Sequence, residues 1–159
     1  MGRGDLIRAI LLIAAIAATA ATTAVAAVGV HWTVLARGVT EPGNSHQPIG
    51  YVAVTRPQEA RFLRRLSSAD QSAIAHVNLQ RTGLVAVFLD GLPCGRDITV
   101  NHVTRNATTV TVTLHWTRPP IGMAMCVRTS TPYVVVGVTR TTLGHPAPTH
   151  VKVVAVART

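Results

Sequence analysis

Hydrophobic and polar positions divide the chain near residue 30. Behind Arg3 and Arg8, an apolar run from Ala9 to Val30 is broken only by Thr19, Thr22, Thr23 and Gly29. A charged start followed by an apolar stretch has the form of an export signal. As a helix, residues 9–30 would span about 33 Å, enough to cross a bilayer core of about 30 Å, so an uncleaved anchor is the alternative. The most apolar residues crowd into Ile10, Leu11, Leu12, Ile13 and Ile16, and the run then fades into alanine, threonine and valine. That gradient favours a cleaved signal peptide over residues 1–26, with small residues at Ala24 and Ala26; a second small-x-small site ends at Ala20. Either way the remainder lies in the secreted fraction or on the extracytoplasmic face of the cell envelope.

Beyond the run, the period shortens to two. Thr33 to Val39 predicts a first strand, Glu41 to Pro48 a loop of turn formers, and Ile49 to Thr55 a second strand. Thr55 and Gln58 stand in capping-box spacing with Pro57 in the first turn, which predicts a helix with Phe62, Leu63 and Leu66 as its apolar stripe. Ser68 and Gln71 repeat the spacing and predict a second short helix running to His76. The unbroken apolar run Gly83 to Leu89 reads as a central strand buried on both faces.

Ile98 to Thr104 and Val110 to Trp116 form a hairpin about a loop at Asn106 to Thr108. Its expected register sets Ile98, Val100 and His102 across from Trp116, Leu114 and Val112, sending His102 and His115 to opposite faces. Tyr133 to Thr139 and Val151 to Ala157 complete the strands, around a turn at Gly144 to Pro148. The sum is an α+β fold: a mainly antiparallel sheet or sandwich of about six or seven strands, with one or two short helices inserted early. Residues 27–48 read as an N-terminal strand and loop, and 49–159 as a single domain.

Composition adds a compartment and a charge. Without residues 1–26 the chain loses Arg3, Arg8 and Asp5, leaving thirteen basic residues against five acidic ones, a charge of about +8. The only two cysteines, Cys94 and Cys126, both fall in the exported part, where pairing is the default. Closing that loop would stabilise the fold by roughly 3–4 kcal/mol in the chain-entropy model. The rival readings are two buried thiols, or a reactive cysteine with a histidine partner.

Candidate chemistry is sparse. The carboxylates Glu41, Glu59, Asp70, Asp90 and Asp97 show no acid–base pair spacing, and no serine stands in a Gly-x-Ser-x-Gly elbow. Ser45-His46 reads as a polar turn. The seven histidines lack metal-ligand spacing, and the glycines stand singly at turns, so no metal, nucleotide or other cofactor is expected. The expectation is a non-enzymatic protein. The one local charge feature is Arg56, Arg61, Arg64 and Arg65, which is either a solvated helix face or an interaction surface for anionic polymers, lipids or a partner protein. Nucleic acid is not expected, because aromatic residues are not interleaved with these arginines. Contact with a membrane is expected only through a retained N-terminal segment.

Several motifs carry a family likeness. They begin with Arg37-Gly38-Val39, Tyr51-Val52-Ala53-Val54 leading into Gln58, Glu59 and Phe62, and Val77-Asn78-Leu79 before Val85-Ala86-Val87-Phe88. They continue through Pro93-Cys94-Gly95 into Ile98 to Val103, and end with Pro120, Gly122, Cys126, Ser130, Pro132-Tyr133 and Val134-Val135-Val136. Over residues 37–140 this order resembles the exported domain of the protease complex subunit PrcB family. The chain departs from that pattern at Arg96-Asp97, where Gly-Tyr is frequent, and at Asn78-Leu79, where Asp-Phe is. The resemblance implies an accessory domain that binds or stabilises an envelope or secreted protein, a protease among the candidates, and it supplies no catalytic residues.

Overall fold

The computed structural model describes residues 27–41, 46–90, 96–117 and 130–158. The expected signal segment 1–26, Pro93-Cys94-Gly95, and Cys126 with Pro120 and Gly122 lie outside the described residues, and so does the predicted disulfide.

Eight strands and three short helices follow in the order β1 (Val28–Gly29), β2 (Trp32–Thr40), β3 (Ile49–Ala53), α1 (Arg56–Leu63), α2 (Ser68–Ala75), β4 (Thr82–Phe88), β5 (Arg96–Arg105), β6 (Thr109–Thr117), β7 (Thr131–Thr139), α3 (Arg140–Leu143) and β8 (His150–Arg158). The fold is α+β. Its strands form two four-stranded sheets, ordered β1-β5-β6-β8 and β2-β7-β4-β3. Every pairing is antiparallel except β6 with β8.

Seven of the strands lie where the alternation predicts them. The eighth, β1, is two residues long and hidden in the tail of the apolar run, where periodicity has nothing to act on. It pairs with Arg105 and Thr104 of β5, and Val30 beside it is buried in the core. Residues 28–30 therefore belong to the folded domain, and a membrane helix through the apolar run would have to end before them. No helix among the described residues is long and apolar enough to cross a membrane.

The layers follow from alternation on β4 and β7. Val85 and Val87 with Val134, Val136 and Val138 face the β1-β5-β6-β8 sheet, meeting Val103, Val110, Val112 and Leu114. Leu84, Ala86 and Phe88 with Tyr133 and Val135 face the helices, meeting Phe62, Leu66, Ile74 and Leu79. The β2-β7-β4-β3 sheet is thus the middle layer, which is why β4 reads as an uninterrupted apolar run. Gly83 on β4 permits the close approach of Leu143 from α3, since a Cβ there would overlap its side chain.

Local rules hold with shifts. Pro57 sits in the first turn of α1, but the Thr55 hydroxyl makes no cap bond; Gln58 Oε1 instead accepts from the Val54 N–H at 2.9 Å. The cap of α2 lies one residue earlier than its predicted position. Ser67 Oγ accepts from the Asp70 N–H at 3.2 Å and donates to Asp70 Oδ2 at 3.0 Å.

The hairpin register is correct at Thr99 and Val100, which pair with His115 and Leu114, and then slips by one. Asn101 is the extra residue of a β-bulge, so His102 pairs with Thr113 and Val103 with Val112. The core prefers valine to histidine, and one inserted residue is enough to exchange them. His102 is therefore exposed rather than at the core edge, and it shares the outer face with His115 instead of opposing it. At the tip, Asn106 Oδ1 accepts from the N–H groups of Thr108 and Thr109 at 3.0 and 2.8 Å, closing the predicted turn.

Candidate functional site

The four arginines singled out by their spacing do not form one surface. Arg56, in the first turn of α1, donates to Glu59 Oε2 at 2.5 Å and to the Val77 carbonyl at 2.8 Å. Glu59 is almost wholly buried, so Arg56 neutralises a carboxylate that faces the core. Arg65 lies past the end of α1, where the chain tightens through bonds from Arg65 N to Phe62 O and from Leu66 N to Leu63 O. The helical wheel that puts Arg65 on the solvent side no longer applies there. Its guanidinium stacks 3.9 Å from the Phe88 ring centroid and donates to Asp90 Oδ2 at 3.1 Å. Arg65 is 24% exposed and Asp90 0%. Of these four, only Arg61 and Arg64 are exposed without an ion pair.

Tyr133 links the middle sheet to α2. Its hydroxyl donates to Asp70 Oδ2 and accepts from the Ser67 N–H at 3.1 Å. Burial, and next the bond to the Asp70 carboxylate, raise the phenol above its ordinary value of 10.0. The fold therefore favours the neutral phenol. Its contribution is complete below the unfolded pKa and is lost as pH rises through the higher folded one. Tyr133→Phe should cost about 1 kcal/mol at neutral pH. The gap between wild type and variant should narrow from pH 9 to 11 in urea-unfolding midpoints. Parallel curves would refute this.

The sequence missed a cleft of about 590 Å³ between the start of α1, the α2–β4 connection and α3. Val54, Thr55, Arg56, His76, Val77, Asn78, Leu79, Gln80 and Arg140 line it. His76 Nδ1 donates to the Ser72 carbonyl at 2.6 Å, which orients its ring. Asn78 Oδ1 accepts from the Gln80 N–H at 3.0 Å and shapes the wall. Arg140 arrives from the far end of β7, held by its N–H to the Arg81 carbonyl at 2.8 Å. Three segments well apart in sequence meet here, and no spacing rule links them.

Elsewhere, His115 Nδ1 accepts from Arg158 Nε at 2.9 Å on the outer face of β6. Among the described residues no three His, Cys, Asp or Glu side chains stand close enough to hold a metal ion.

The architecture is thus a three-layer α+β domain in which helices cover one face of a two-sheet sandwich. The chain matches no protein-family model, no curated protein and no solved structure.

Proposed function

We propose that the protein is an exported, non-enzymatic binding domain that docks an acidic surface of another envelope or secreted protein. The observation that supports this reading is how the domain distributes its charges. Glu59, Asp70 and Asp90 are each engaged by side chains of the domain itself. Arg37, Arg61, Arg64, Arg81 and Lys152 stand exposed. Those three acids are engaged within the domain and Glu41 stands exposed, while more of the cations face outward, so the surface favours negative partners and steers them from a distance. The resemblance to the PrcB family makes a protease a candidate partner and the role an accessory one. Purification of the exported protein from envelopes at low salt should bring one neighbour with it reproducibly, and raised salt should release that neighbour. A solitary monomer at every ionic strength would overturn the proposal.

A second reading has the exposed pair at the end of α1, Arg61 and the C-cap Arg64, as its support. Arg61 and Arg64 lie three residues apart, adjacent on a helix surface, where they fit anionic polymers or lipid head groups. Replacing both with glutamine should weaken retention on phosphatidylserine vesicles by about thirtyfold, at about 1 kcal/mol per cation near the surface. Unchanged retention would exclude this reading. Arg65 is unsuited to the test, because its loss would disturb Asp90 and Phe88.

A further inference from the structure

We propose that the open edge of the sandwich, between β2 and β5, receives an extended acidic segment of a partner protein, which pairs with β5 in line with β1. The inference rests on the reading of a domain that docks a negative partner, and it names the surface used. The β1-β5-β6-β8 sheet is incomplete at this edge. β1 pairs only with Arg105 and Thr104, and the Val30 N–H adds one bond to the Val103 carbonyl at 3.0 Å. Among the described residues no strand lies beside β5 from Arg96 to His102 on that side. A strand edge with free N–H and C=O groups is a template for another strand.

The facing strand, β2, shows what the gap leaves uncovered. Val34, Arg37 and Val39 pair with Val136, Val134 and Pro132, on the face of β7 that packs against the opposite sheet. The irregularity at Leu35 keeps all three on that one face. Such positions are buried in a closed sandwich, yet Val34 is 40% exposed, Val39 61%, and Arg37 stands in solvent between them. Val28, Val34 and Val39 are three of the four exposed large hydrophobic residues among the described residues, and all belong to this edge. The two open stretches lie opposite one another. Gly144, just past β7 and α3, lies against Arg105, so β7 and β5 end together. Thr40 pairs with Thr131 at the start of β7 and therefore lies toward Arg96. Ile98 and Val100 of β5 border the same gap, for they pack on the core and are only partly buried.

Arg37 selects the occupant. It makes no ion pair among the described residues, and with Val34 and Val39 it forms an apolar, cationic, apolar row. Because side chains alternate along a strand, the matching segment reads apolar-x-acid-x-apolar. A second copy of the chain is disfavoured by the charge of about +8 on each. The chain's own residues 118–129 hold Arg118 and Arg128 with no carboxylate, and Pro119-Pro120 cannot donate to a ladder. A negatively charged partner strand meets each requirement, adding main-chain bonds along β5 and covering both valines.

Titrating the exported chain with the acetylated peptide Thr-Val-Thr-Glu-Thr-Val-Thr, followed by amide chemical shifts, tests this. Saturable changes confined to Val34–Val39 and Ile98–His102 are expected, with slowed hydrogen exchange along the free edge of β5. Arg37→Glu should weaken binding about tenfold and should prefer the same peptide with lysine at its centre. Arg61→Gln with Arg64→Gln should leave binding unchanged, which separates this edge from the surface pair. Failure to saturate by about 5 mM peptide, changes centred elsewhere, or equal affinity in Arg37→Glu overturns the proposal. If the β5 edge resists exchange before peptide is added, sedimentation tells whether a second copy or the chain itself fills it, and either result overturns the proposal. A neighbour that co-purifies at low salt with wild type and with Arg37→Glu alike would leave the docking reading standing and move it off this edge. Peptide binding without any co-purifying neighbour would do the reverse.

Discussion

Phe62→Ala should destabilise the domain by about 3–5 kcal/mol, the range for emptying a buried aromatic site. Phe62 is 0% exposed and is the largest α1 side chain in the helix-side core, where its ring lies 6.1 Å from that of Tyr51. Leu63, only partly buried, is the other α1 side chain packed against that core. The helix spans eight residues, too few to persist unaided in water. The loss would be a large share of a stability expected to lie between about 5 and 15 kcal/mol. Phe62→Leu, which keeps most of the volume, should cost less than about 1.5 kcal/mol. Guanidinium unfolding monitored by circular dichroism measures both, and a loss below about 1 kcal/mol in the alanine variant would show that α1 is held by other contacts. The variant also has a functional readout: a loosened α1 should blur the positions of Arg61 and Arg64 and of the cleft's Thr55 wall together.

Asp90→Ala should cost about 3 kcal/mol. The carboxylate is wholly buried, accepting from Thr131 Oγ1 at 2.7 Å and from Arg65 Nη2 at 3.1 Å. Its removal strands a buried hydroxyl and leaves Arg65 on the Phe88 ring without its carboxylate. Breaking a buried ion pair typically costs about 3–5 kcal/mol, and the partial exposure of Arg65 places this one at the lower end. Combining Asp90→Ala with Arg65→Met should cost less than the sum of the single changes, because the double variant removes both charges of this pair together. Strict additivity in urea-unfolding free energies would mean that the pair does not couple. The same cycle assigns Arg65 to the interior, leaving Arg61 and Arg64 as the surface probes.

The arginines show how far local pattern reaches. Four cations within ten residues read as one patch, because a helical wheel treats the segment as a single cylinder. The cylinder ends at Leu63, so Arg65 turns inward to Asp90, a residue from the end of β4 that nothing in the local sequence marks as its partner. His102 fails differently. Strict alternation places it inward, and one bulged residue at Asn101 places it outward. A bulge in the middle of a strand leaves no signature such as an Asn-Gly turn, so only the competition of Val103 for the core shows it.

The cleft lay beyond any pattern, because Arg56, the Asn78–Gln80 segment and Arg140 are brought together by the pairing of β4 with β7 and by the return of the chain through α3. That Arg140 Nη1 is buried without a hydrogen-bond partner among the described residues is likewise a property of its surroundings, invisible in the residue type.

Sequence alone determined the α+β class, seven of the eight strands, the two early helices and the double burial of β4, because each follows from period, caps and turn residues acting over a few neighbours. It also set the excess of positive charge, which is a matter of counting. Tertiary structure decided which strands share a sheet, that β8 returns parallel to β6, which carboxylate each arginine meets, and where a cation is left unmatched. Those outcomes depend on contacts between residues distant in the chain, whose energies arise only once the layers have packed.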